Sequence, residues 1–114
     1  MTEESPLARL LGIGTVSESS DRTVARLVVR DDHKTPTVVV HSGTFLSLAD
    51  NCATYIANQV NHDGPNPGAF MVLVDLHSSM IGNQSDGELV ATSTVVTETD
   101  DRRLAEVTTT HIPA

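Results

Sequence analysis

The sequence predicts an α+β domain in which one long helix packs on an antiparallel sheet. Three observations predict it: two β-rich segments around a polar turn, then a stretch with a helical apolar period, then further alternating segments. Leu10–Val16 and Thr23–Val29 are the first two strands, with Ser17-Glu18-Ser19-Ser20-Asp21-Arg22 as a hairpin turn between them. Asp31-Asp32-His33-Lys34-Thr35-Pro36 follows as an irregular polar connection. From about Gly43 to Val60 the period changes. Phe45, Leu48, Ala49, Cys52, Tyr55, Ile56 and Gln59/Val60 fall on one face of an amphipathic helix of about five turns. Asn61-His62-Asp63-Gly64-Pro65-Asn66-Pro67-Gly68 is dense in turn formers and predicts a loop. Ala69–Met80, Glu88–Thr97 and Arg103–Ile112 then alternate or run apolar. Ser85-Asp86-Gly87 and Thr99-Asp100-Asp101-Arg102 separate them, so three consecutive antiparallel strands are expected.

The chain has 114 residues, a length suited to one domain spanning 1–114. Its 7 basic and 15 acidic side chains give 7 − 15 = −8, a charge that argues against nucleic acid as a partner. No apolar run approaches the roughly 18 residues of a membrane span, and the acidic start Met1-Thr2-Glu3-Glu4-Ser5 shows no signal peptide, so a cytoplasmic protein is expected. One cysteine, Cys52, leaves no internal disulfide, and its place in the apolar stripe reads as a small core residue. His33, His62 and His111 do not fall at ligand spacing with carboxylates, so no metal site is expected. The aromatics are Phe45, Tyr55 and Phe70 alone. Such a core must be aliphatic, and completion across a subunit interface is expected.

The helix entry reads Val40-His41-Ser42-Gly43-Thr44-Phe45-Leu46-Ser47-Leu48-Ala49-Asp50. At about 100° per residue Asp50 lies some 140° from Phe45, off the buried stripe. Its neighbours on that face, Ser47, Ala53, Thr54 and Ala57, are small. From the residues alone the face is either a solvated surface or one approached closely by another surface, with the carboxylate kept as a functional group.

The stretch His41–Asp50 resembles the His-Gly-Gly-(four residues)-Leu-Ala-Asp signature of hotdog-fold acyl-CoA thioesterases, in the PaaI-type branch of the phenylacetic acid pathway. The likeness extends through Tyr55 and Asn58 and to the order of strands and helix. It implies an antiparallel sheet wrapped around one long central helix, an acyl-CoA substrate, no separate cofactor or metal, and a homodimer or a dimer of dimers. It places Asp50 as general base or nucleophile at the thioester carbonyl. The amides of Ser42 and Gly43 would polarise that carbonyl, since the first N–H groups of a helix lack intrahelical acceptors. Thr54 would hold the carboxylate or the water, and His41 would orient the loop through hydrogen bonds.

The sequence departs from the signature in three ways. Ser42 stands where the family has glycine. Family members run longer after the helix. A second polar group on the following strand has no obvious equivalent: Leu73 falls about there, with Asp75, His77, Ser78 and Ser79 nearby. Asp75 and His77 would share a strand face, as a solvent-facing pair or as part of a site. Arg102 and Arg103 would either be solvated at a turn or hold coenzyme A phosphates. Two other readings stay open beside the thioesterase: a non-catalytic acyl-CoA or lipid binder on the same scaffold, and an assembly protein whose helix face is only an interface.

Overall fold

A computed structural model describes residues 5–19, 21–62, 72–79, 82–98 and 103–113. The elements are α1 (Pro6–Leu11), β1 (Ile13–Glu18), β2 (Thr23–Val28), a short 3-10 turn (Asp31–His33), α2 (Ser42–His62), β3 (Glu88–Glu98) and β4 (Arg103–Ile112). Among the described residues the sheet has four antiparallel strands in the order β1-β2-β3-β4. One long helix lies on it, as expected of the hotdog architecture.

Strand alternation decides which residues meet the helix. Thr23, Ala25 and Leu27 of β2 and Leu89, Ala91 and Ser93 of β3 face inward and are fully buried. On α2 the answering stripe is Leu48, Cys52, Tyr55 and Ile56, with Phe45 at its edge. Ala25 pairs with Ala91 across the ladder, and the absence of bulk there lets the helix seat closely. Cys52 fills the gap: its Sγ lies 3.3 Å from the Thr23 carbonyl and 3.3 Å from Ser93 Oγ, while Ser93 Oγ–H donates to the Cys52 carbonyl at 2.8 Å. The core reading of this cysteine holds. Its burial pushes the thiol above its ordinary range, against the smaller opposing pull of the Ser93 hydrogen bond.

Three sequence expectations need correction. Leu10 and Leu11 end a helix rather than open a strand. Ser5 caps α1 by accepting from Ala8 N–H at 3.1 Å, Pro6 occupies its first turn, and Gly12 closes it in the left-handed conformation at φ 77°. Asn61 and His62 belong to α2 rather than to the loop; 63–68 lie outside the described residues. The expected strand Ala69–Met80 is not formed over its described part. Residues 72–79 are exposed and outside the sheet, with Val72 and Val74 at 68 % and 91 % exposure. Alternation gives a segment a strand's side-chain pattern, but a strand also needs a ladder partner, and this segment has none among the described residues. The turn at 99–102 lies outside the described residues. Among those described, no helix is long and apolar enough to cross a membrane.

Candidate functional site

The site begins at the start of α2. His41 precedes the first helical residue, and its ring serves as the cap: Gly43 N–H donates to His41 Nδ1 at 3.0 Å, and Thr44 N–H to the His41 carbonyl at 2.9 Å. Ser, Thr, Asn or Asp usually supplies such an acceptor. With Nδ1 accepting, the proton of the neutral ring sits on Nε2.

This arrangement alters the expected donor pair. The Gly43 amide is engaged within its own chain, whereas Ser42 N–H has no partner among the described residues. Gly43 has a separate reason to be small, since a Cβ there would stand 3.2 Å from His41 Nδ1. The helix start is open to solvent, with His41 and Ser42 both exposed.

The entry segment is fastened from two sides. Val40 N–H donates to the Gln84 carbonyl and Asn83 Nδ2 to the Val40 carbonyl, each at 2.9 Å. On the other side His41 N–H donates to the His33 carbonyl at 2.8 Å.

Asp50 stands two turns further on, half-buried. Thr54 Oγ1 donates to its Oδ1 at 3.1 Å, so the hydroxyl bonds the carboxylate rather than only turning back on the helix backbone. Asn58 Nδ2 in turn donates to the Thr54 carbonyl at 2.8 Å. Ser47, Ala53 and Ala57 around them are half-buried as well. Together they form a shallow face of small side chains with one oriented acid.

The spacing sets a strong constraint. Ser42 and Asp50 are eight residues apart on one helix, which is about 12 Å along its axis. A hydrogen-bond donor and an attacking group on one carbonyl each stand about 3 Å from it. Within a single chain the two do not meet.

Other sequence candidates lie elsewhere. Asp75, His77, Ser78 and Ser79 are exposed on the segment outside the sheet, and no hydrogen bond joins them to α2 among the described residues. Leu73 is likewise exposed, at 43 %. Arg102, and the side chains of His62 and Arg103, lie outside the described residues. His111 is exposed on β4, where its Nε2 meets the Asp86 carbonyl at 3.1 Å. Sequence reasoning missed Asn83, because its contact spans 43 residues and leaves no periodic trace. It weighed His33 only as a metal ligand. The signal that could have found it, the need of carbonyls at a helix C-terminus for donors, was hidden together with α1 itself.

The fold is that of the hotdog proteins. AziG of S. sahachiroi superposes with TM-score 0.85 at 22 % identity, over 94 % of this chain and 84 % of that one. The E. coli PaaI protein from the phenylacetic acid degradation operon superposes with TM-score 0.82 at 19 % identity, over 94 % and 73 %. Thioesterase HI1161 from Haemophilus influenzae does so with TM-score 0.83 at 17 % identity, over 92 % and 71 %. The resemblance read from His41–Asp50 is thereby borne out in fold, with a PaaI protein among the structures matched. No protein-family model and no curated protein sequence matches the chain.

Proposed function

We propose that this protein is an acyl-CoA thioesterase whose site is shared between two copies of the chain. The observation that carries the reading is the oriented carboxylate of Asp50, held by Thr54 on a half-buried face of small residues. The naming of two fold neighbours as thioesterases, HI1161 and the zebrafish thioesterase superfamily member 2, supports it. Ser42 N–H of one copy polarises the thioester carbonyl and stabilises negative charge developing on its oxygen. Asp50 of the other copy takes a proton from the attacking water, and as the tetrahedral adduct collapses the C–S bond breaks and that proton passes to the departing coenzyme A thiolate. Alternatively Asp50 attacks the carbonyl itself, expels the same thiolate and leaves an acyl anhydride that water hydrolyses. His41 orders the helix start through its capping bond. The roughly 12 Å between amide and acid along one helix is what requires the second copy. The substrate is an aromatic or medium-chain acyl-CoA, and no cofactor enters the chemistry.

The test is Asp50→Asn assayed against a panel of acyl-CoA thioesters. Loss of a general base costs about 10²–10⁴ in rate. A wild-type protein that hydrolyses nothing in the panel, or a variant that loses less than about tenfold, overturns the assignment.

A second reading, a non-catalytic acyl-CoA binder on the same fold, is favoured by one observation. The capping bond of His41 removes the Gly43 amide, leaving one donor where the resemblance implies two. Calorimetry with a non-hydrolysable acyl-CoA separates the two, since binding by a protein that turns over no thioester supports the binder.

A further inference from the structure

His33 is 1 % exposed and all its polar atoms are committed. Nδ1 accepts from Arg30 N–H at 3.0 Å, and Nε2–H donates to the Leu11 carbonyl at 2.6 Å. A ring that accepts at Nδ1 and donates at Nε2 is held as one neutral tautomer. The Leu11 carbonyl is among the last of α1, where no intrahelical N–H is available, and Arg30 meets the adjacent Leu10 carbonyl in the same way.

The backbone of His33 works in the opposite direction. Its carbonyl accepts from His41 N–H at 2.8 Å and from Thr44 Oγ1 at 3.3 Å, Thr44 being 7 % exposed. One residue therefore ties the end of α1 to the first turn of α2. The only covalent route between His33 and His41 is a tight excursion, in which Lys34 bridges Val40 and Thr35 N–H donates to the Val39 carbonyl. The excursion includes Val38 at φ 72°, a left-handed conformation that a β-branched residue adopts only when its surroundings impose it. The two hydrogen bonds that the His33 carbonyl accepts fix where that excursion delivers the chain. Ser42, whose amide is the donor in the reading above, is the next residue.

We propose that His33 is a positioning residue for the thioester site. Its ring, clamped between Arg30 N–H and the Leu11 carbonyl, sets the placement of the Ser42 amide through His41 and Thr44. The role rests on the thioesterase reading, but it is independent of which acyl group is accepted.

The experiment compares His33→Ala, His33→Gln and His33→Asn with wild type in thermal unfolding and steady-state hydrolysis, well below every melting temperature. Displacing a donor by a fraction of an ångström acts on the transition state more than on binding. His33→Ala is therefore expected to lower kcat by about tenfold or more, with KM changed less than about threefold. His33→Gln, which keeps a donor for Leu11, and His33→Asn, which keeps an acceptor for Arg30, are expected to recover part of that loss. Should His33→Ala fail to fold, the two amide variants carry the comparison, each expected below wild type in kcat. Wild-type kcat in any folded variant that breaks a ring bond overturns the proposal. So does a loss no smaller in Gln and Asn than in Ala. Failure of the thioesterase reading looks different: wild type and Asp50→Asn are then equally inactive, and the role of His33 falls with the site it serves.

Discussion

Thr54 Oγ1 donates a 3.1 Å hydrogen bond to Asp50 Oδ1, one helical turn along α2. The bond orients the carboxylate and leaves acid and hydroxyl as one unit on a half-buried face of a helix whose opposite side is core. Thr54→Val keeps the shape and removes the donor. Losing a hydrogen bond that positions the reacting group is expected to lower kcat by about tenfold. The melting temperature should be little changed, and Thr54→Ser should restore the rate. Undiminished kcat in Thr54→Val would remove Thr54 from the site.

His41 caps α2 through its ring. His41→Ala is expected to cost about 1 kcal/mol of stability, the usual worth of a side-chain cap. His41→Asn supplies the same acceptor and should restore it. Urea unfolding checks this. If the Asn variant also keeps wild-type kcat, the imidazole orders the loop and exchanges no proton with substrate. A stable Asn variant without activity would assign it a chemical role.

Cys52 gives the stability a pH dependence of known sign. Its thiol is pushed up in the folded chain by burial, so the native state resists ionisation while the unfolded chain ionises at the ordinary thiol value, about 8.5. The contribution is fully present below that value and is lost as pH rises above it toward the raised native value. Unfolding free energies should fall more steeply with pH above about 8.5 in wild type than in Cys52→Ala. Parallel curves would contradict this.

How much could be read from the residues follows from how local each feature is. The apolar period from Phe45 to Ile56 announced α2, and Asp50 with Thr54 is an i, i+4 pair visible on any helical wheel. β3 and β4 were legible because both faces of their ladder alternate. Helix α1 was hidden by its length. Ser5, Pro6 and Gly12 are proper start and stop signals, but the apolar run from Leu10 to Val16 spans the helix end and the strand start, and period alone does not divide it. Residues 72–79 failed for the opposite reason, having a pattern without a ladder among the described residues. At the site, the imidazole of His41 taking the Gly43 amide is a rotamer choice that no spacing encodes. The clamp on His33 depends on Leu11, 22 residues away.

The most direct measurement mixes two inactive variants. Ser42→Pro removes the single amide donor at a first-turn position, where proline is accommodated, and Asp50→Asn removes the acid. Each alone is expected to lose about 10²-fold or more in kcat. Coexpressed, they form mixed assemblies in which one site carries both lesions and the other carries neither. A site that draws its amide and its carboxylate from different copies then regains about a quarter of wild-type activity at random pairing of two-fold dimers. Activity in the mixture no greater than the sum of the two variants would contradict the shared site.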